Sequence, residues 1–178
     1  MTSTSDDPPF SRIKVRVGAL VFCGDKVALI RRDRPDSVHY TPPGGNVEAG
    51  EDFREALRRE LAEELALDVD EAESGGLVWV IDQRVSRPGP TPPRKLHLIY
   101  RLHITAETQR GLAERELDEL PDGTYETGVV EWVDYRTTAD LPIFPPIGPA
   151  LTALPDPRAV VGDAGLEAVT DENYTWVV

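Results

Sequence analysis

Residues 44–69 read GGNVEAGEDFREALRRELAEELALDV, and no other stretch limits the fold as much. Gly44 and Gly45 let the backbone turn tightly and approach a ligand closely. Asp52 followed by Glu55 matches a capping box, in which an N-cap oxygen and a carboxylate three residues on satisfy free backbone N–H groups. Phe53, Leu57, Leu61 and Leu65 recur every four residues, with Ala56 beside them, and make one apolar stripe. The segment predicts a glycine turn and then an amphipathic helix from Asp52 to about Leu65 or Ala66.

The polar face of that helix is unusual. Glu60, Glu63 and Glu64 stand at i, i+3 and i+4, so they project from one side. Three like charges that close repel one another, although solvated acidic helices are common. A divalent cation removes the conflict, because Mg²⁺ and Mn²⁺ favour hard oxygen ligands. Glu60 borders the apolar stripe, where an unpaired carboxylate is costly and a metal-bound one need not be. The carbonyls of Gly44 and Gly45 are within reach of such an ion. Arg59 lies eight residues beyond Glu51, with Glu55 between them, and salt bridges along that row would fix the helix to the preceding loop.

The remaining chain reads as a scaffold. Its 178 residues suit one domain, large enough to bury a core without disulfides, and Cys23 is the only cysteine. That cysteine usage fits a reducing cytoplasm, the expected location. The expected boundaries are a flexible arm at 1–11, the main domain at 12–155 and a C-terminal extension at 156–178. A formal net charge of −13 argues against a nucleic-acid duplex or an anionic membrane as partner. It leaves a nucleotide substrate open, since bound cations invert the local field. The N-terminus lacks a signal-peptide pattern, and no apolar run approaches a membrane span. Strands are expected at 13–22, 26–31, 37–41, 77–81, 95–105 and 128–133, and short helices at 112–120 and 147–154. Residues 84–94 form a Pro/Gly loop, and the last residues, 174–178, add a strand or pack on a neighbour. This order implies an α/β fold, a mixed sheet with helices on its faces.

The glycine–helix segment resembles the signature of the Nudix hydrolases, GX5EX7REUXEEXGU, with U aliphatic. Here it is Gly45, Glu51, Arg59, Glu60, Leu61, Glu63, Glu64 and Leu67, so that eight of the nine specified positions match. Ala66 replaces the glycine that would cap the helix in a left-handed conformation. Alanine there costs about 1 kcal/mol, or the helix runs on. Pro-Gly-Gly before the box and Glu131-Trp132-Val133 later also look like the family. The resemblance implies a Nudix-type α/β/α sandwich and hydrolysis of a nucleoside diphosphate linked to another group. It makes Glu60, Glu63 and Glu64 metal ligands, Gly45 a carbonyl ligand, and Glu51 with Arg59 an orienting pair, with Mg²⁺ or Mn²⁺ as cofactor. Glu64 is the leading candidate for the general base, and Glu63 is also assigned to catalysis. Glu114, Glu116, Glu119 and Glu126 are rivals, because the base sometimes comes from a loop in this family.

Substrate contacts are assigned to Arg32, Tyr40 and Arg84, with Tyr40 placed to stack on a base. Arg31, Arg34, Arg87 and Arg94 are further cations near these positions. Trp79 and Phe22 read as core, and Cys23 as a buried small residue. His39, His97 and His103 are too scattered for a zinc site. Gln83 occupies the position where some ADP-ribose enzymes of the family carry proline, so nucleoside triphosphates and nucleotide sugars both stay open. The alternative activity is a Nudix-fold module that senses a nucleotide without cleaving it. The expected partner is a nucleotide-type small molecule, and a homodimer stays open.

Overall fold

The computed structural model describes residues 13–85 and 94–175. The expected arm at 1–11, most of the Pro/Gly loop with Arg87, and residues 176–178 lie outside the described residues. The elements are β1 (Lys14–Cys23), β2 (Lys26–Arg34), β3 (Ser37–Thr41), β4 (Gly44–Asn46), α1 (Phe53–Leu65), β5 (Glu73–Arg84), β6 (Lys95–His103), α2 (Ala106–Arg110), β7 (Arg115–Glu119), β8 (Tyr125–Asp134), α3 (Gly148–Thr152) and β9 (Val169–Thr170). The sheet runs β7-β8-β2-β1-β6-β5-β9, with β3 on β2 and β4 on β1. β1 pairs with β6, and β5 with β9, in parallel, while the other pairs are antiparallel, so the sheet is mixed. Among the described residues, no helix is long and apolar enough to cross a membrane.

The continuous apolar run of β1 is what a strand buried on both faces needs. Its Val17, Ala19 and Val21 meet Ala56, Leu57, Leu61 and Leu65 of α1 on one face. Leu20 and Phe22 point to the other, with Leu29, Trp79, Ile81 and Ile99, and are covered by Ile147 and Leu151. Phe53, in the first turn of α1, remains 44% exposed, so the buried stripe begins at Ala56 rather than Phe53. Cys23 is half-buried at the end of β1.

A cleft originates in the middle of the sheet. β2 pairs with β1 only at Phe22↔Val27 and Cys23↔Lys26 and then diverges. β4 takes its place, pairing Arg16↔Asn46, Val17↔Gly45 and Gly18↔Gly44. The glycine pair expected as a turn is therefore a short strand wedged into a splaying sheet. Gly44 has φ 145°, and a Cβ there would overlap the backbone of Val17 and Gly18, so only glycine fits.

Helix α1 is capped as its sequence predicts. Asp52 accepts from the N–H groups of Arg54 and Glu55, and Glu55 accepts from the N–H of Asp52 at 2.7 Å. At its other end Ala66 adopts φ 54°, ψ 31°, so the helix stops there despite the missing glycine. The Ala66 N–H bonds Ala62 O at 3.1 Å, the bond of a left-handed helix cap, and the Leu67 N–H bonds Leu61 O at 3.1 Å. Leu67 is fully buried beside Leu61, and that burial holds the strained exit in place.

Two expectations are corrected. The short helix at 112–120 is absent: α2 ends at Arg110, and Arg115–Glu119 is strand β7, paired with β8. Its alternation runs backwards for a core strand, with Glu116 7% exposed and Leu117 70% exposed, because its inner face lines a polar cleft. β5 spans 73–84 rather than 77–81. Its first turn of chain, Glu-Ser-Gly-Gly, carries no apolar signal and is held by pairing with β6 across a register shift. Near the C-terminus β9 adds a strand beside β5; of residues 174–178, expected to add a strand or pack on a neighbour, 174 and 175 are described and the rest lie outside the described residues. Residues of the extension run along β5: Val80 donates to Ala164 O at 2.8 Å, and Leu166 donates back to Val80 O at 3.1 Å. Arg101 holds the same segment through the carbonyls of Pro157 and Ala159, at 3.1 and 2.8 Å.

Candidate active site

The splay between β1 and β2 opens a cavity of about 460 Å³. β4 and α1 bring Gly44, Gly45, Glu60 and Glu64 to it, β1 brings Arg16 and Gly18, and β2 brings Arg32 and Arg34. His97, Ile99, Leu120, Phe144 and Pro145 also line it.

Arg59 ties the acidic helix to the loop before it. Its Nε donates to Glu51 Oε2 at 3.1 Å, and its Nη2 to Glu51 Oε1 at 2.7 Å and to Asn46 O at 3.0 Å. Nη1 donates to Glu60 Oε1 at 2.8 Å. The fork fixes Glu51 and β4 in one geometry, as a bidentate pair does. Hydrogen bonds from Arg59 hold the Glu51 carboxyl below the usual carboxylate range. Gly45 is needed here because a Cβ would overlap the Glu60 carboxylate.

Glu64 is the most perturbed group. Its Oε2 accepts from the Gly44 N–H at 2.6 Å. Burial, with Glu116 nearby, pushes its pKa up to about 9. Burial also raises Glu60, although Arg59 opposes the shift. Glu63 points outward, its side chain 60% exposed and 3.4 Å from Arg59.

Among the described residues, no three His, Cys, Asp or Glu side chains are gathered closely enough to form a ready-made metal cage. The reason is local: Arg59 draws Glu60 and Glu63, while Gly44 draws Glu64. The donors themselves suit a hard divalent cation, being carboxylates on one helix face with a glycine backbone packed against one of them. Glu64 forms no ion pair among the described residues, so a cation beside it would relieve its burial as a charge.

Across the cleft lies a buried ionic cluster. Arg32 pairs with Glu116, both nearly fully buried, and donates to Thr41 Oγ1 at 3.0 Å. Asp118 and Glu126 stand 3.8 and 3.7 Å from the same guanidinium, and Arg34 donates to Glu126 at 3.1 Å. Arg32 Nε has no hydrogen-bond partner among the described residues.

The structure thus brings Glu51, Arg59, Glu60, Glu64, Gly45 and Arg32 around one cleft, with Glu63 at its outer edge. Two expected substrate contacts lie elsewhere. Alternation along β3 turns His39 and Thr41 toward the cavity and Tyr40 away from it. Tyr40 is buried in the opposite core, and its hydroxyl bonds Glu131 at 3.2 Å, so it is not placed to stack on a base. Arg84 is exposed at the end of β5, 3.5 Å from Asp82 and off the described cavity wall. Arg31 also faces away, toward Asp33 and Glu131. Of the rival acids, Glu114 and Glu119 are exposed, while Glu116 and Glu126 face the cleft.

Arg16, His97, Asp118 and Phe144 were not singled out as site residues by sequence. For Glu116 and Asp118 the signal was present as charge in the inward positions of a strand. Arg16 and His97 stand opposite one another in the β1/β6 register, which becomes visible only once that parallel pair is known.

A NUDIX domain model matches residues 12–150. Two Mycobacterium tuberculosis proteins, from strains CDC 1551 / Oshkosh and ATCC 25618 / H37Rv, carry the name "Putative 8-oxo-dGTP diphosphatase 2". Each is 34% identical over 132 residues, which covers 72% of this chain and 87% of the relative. The MutT protein from Methanosarcina mazei Go1 shares the fold with a TM-score of 0.56 at 16% identity, over 80% of this chain and 92% of that one. The mMutator MutT protein from Bacillus halodurans does so with a TM-score of 0.53 at 19% identity, over 88% of each. The box geometry, the splayed mixed sheet and a family match across most of the sequence agree: this chain belongs to the Nudix hydrolase family.

Proposed function

We propose that this Nudix hydrolase is a divalent-cation-dependent diphosphatase that cleaves a nucleoside triphosphate to the monophosphate and pyrophosphate. The observation that carries the reading is Glu64, a half-buried carboxylate in the cleft that accepts a backbone N–H and, among the described residues, pairs with no cationic side chain. The name of the curated relatives makes an oxidised purine deoxynucleotide, 8-oxo-dGTP, the first substrate to test. Arg16, Arg32, Arg34 and Lys95 around the cavity suit the charge of a triphosphate.

Glu60, Glu63 and Glu64, with the Gly45 carbonyl, would hold Mg²⁺ or Mn²⁺. When bound, such ions neutralise the phosphates, stabilise the leaving oxygen and acidify water. Arg59 and Glu51 keep the helix and β4 from moving apart during turnover. Glu64 is the assigned base: Oε2 is tied to Gly44, which leaves Oε1 to take the proton of the attacking water. Glu116 is a poorer candidate because its ion pair with Arg32 occupies it.

The test is formation of the nucleoside monophosphate, with pyrophosphate as the second product of a triphosphate, from a nucleotide panel containing 8-oxo-dGTP, the common deoxynucleoside triphosphates and nucleotide sugars, with and without Mg²⁺. Triphosphate turnover should require the ion. Glu64→Gln should lower kcat by at least about 100-fold, with the unfolding transition retained. A Glu64→Gln protein within a few-fold of wild type would remove the assigned base.

A further inference from the structure

The cavity lining combines carboxylates with a ring-bearing patch. Glu60, Glu64 and the glycine strand supply the carboxylate part, and His97 and Phe144, in ring contact, supply the other. If the phosphates lie at the first, as the proposed function requires, the base meets the second, where an aromatic ring offers it a face. Phe144 is a half-buried ring of that part, and it sits in the connection between β8 and α3. Its backbone is held, because its N–H donates to Tyr40 O at 2.8 Å.

Its ring is held by residues from elsewhere. The His97 ring stands edge-on to it with centroids 5.8 Å apart, and the Tyr174 ring lies 5.1 Å away at 57°. Tyr174 is not among the described residues that line the cavity, and its ring reaches the site through Phe144. The turn that delivers Tyr174 is locally fixed. Thr170 O accepts the Tyr174 N–H at 3.0 Å, while Asn173 accepts from the Thr170 N–H at 2.9 Å and donates to Ala168 O at 2.8 Å. The same segment reaches the wall a second way. β9 pairs Val169 with Gln83, and Gln83 Oε1 meets His97 Nε2 at 2.7 Å. Both contacts come from residues beyond position 150, where the family match stops.

We propose that Tyr174 is a positioning residue for nucleotide binding, bracing Phe144 as the wall against which the substrate base lies. The C-terminal extension is then part of the substrate site, and it sets affinity for the base rather than the rate of phosphate chemistry.

The experiment compares the full chain with Tyr174→Ala and Tyr174→Phe. Calorimetry with Mg²⁺ measures binding of dGMP and of inorganic pyrophosphate, a base-free probe. Tyr174→Ala should weaken dGMP binding by roughly three- to tenfold, the scale of one aromatic contact, and leave pyrophosphate binding unchanged. Tyr174→Phe should restore dGMP binding, and KM for a hydrolysed triphosphate should rise in Tyr174→Ala while kcat holds. Equal loss for both probes, or loss for neither, overturns the proposal. Hydrogen exchange at the Phe144 amide is read in parallel, and faster exchange in Tyr174→Ala is expected. Unchanged exchange removes the brace. A wild-type protein that binds no nucleotide overturns both the nucleotide reading and the base-wall role, while the exchange result still decides separately whether the brace exists.

Discussion

His97 carries a cost that the fold accepts. Burial, with Arg16 on β1 and Lys95 on its own strand, brings its pKa down to about 3, and its neighbours Gln83 and Phe144 offer no charge to offset this. The folded chain therefore keeps the ring neutral, whereas the unfolded chain protonates it near pH 6.5. A depressed folded pKa means stability is fully present above the unfolded value and falls as pH drops from about 6.5 toward 3. The loss from this residue alone is about 1.4 kcal/mol per pH unit in that window. His97→Gln should flatten that limb of a stability-against-pH curve, measured by urea unfolding at several pH values. Parallel curves for the two proteins would show that His97 is not the titrating group. The same residue marks a limit of sequence reading. Alternation along β6 placed His97 opposite Leu96 and Leu98, yet nothing local revealed that this second face was also buried. Tyr40 failed for a related reason: its type suits base stacking, but strand parity decides which face it sees.

Legibility at the scale of elements follows the range of the interactions that make them. Helix α1 was readable to its ends because its cap, stripe and acids are all encoded within a few residues. β7 was not, because Arg-Glu-Leu-Asp-Glu has little strand character and is extended only through its ladder to β8. The cleft itself depends on β1 changing partners from β2 to β4, which is a long-range event. The helix exit offers a test of the local rules. Ala66 sits at φ 54°, a conformation that costs an L-residue about 1–2 kcal/mol and glycine almost nothing. Glycine also adds roughly 0.4–1 kcal/mol of unfolded-state freedom that folding must remove. Ala66→Gly should therefore stabilise the chain by about 0.5–1 kcal/mol, seen as a higher urea midpoint at constant slope. A lower midpoint would mean that the Leu67 packing, rather than the torsion angle, dominates the helix exit.

For the molecule as a whole, charge and metal must be separated. A formal net charge of −13 destabilises the compact state by self-repulsion, and any salt eases it. A rise in melting temperature on adding Mg²⁺ is therefore not in itself a sign of a site. The box geometry predicts a component that screening cannot supply, because Glu60 and Glu64 are half-buried and Glu64 has no ion pair among the described residues. At ten to a hundred times its dissociation constant, a bound ion stabilises by about 1.4–2.7 kcal/mol. For a domain of this size that is a shift of roughly 3–10 °C. The measurement is a melting curve of chelator-treated protein with Mg²⁺, against NaCl at matched ionic strength, for wild type and for the Glu60→Gln/Glu64→Gln double variant. Wild type should gain the extra shift with Mg²⁺ over NaCl. The double variant should start from an equal or higher baseline, since two half-buried carboxylates are gone, and respond equally to both salts. If the double variant keeps the Mg²⁺ increment, the ion binds elsewhere on an acidic surface and the box glutamates do not hold it.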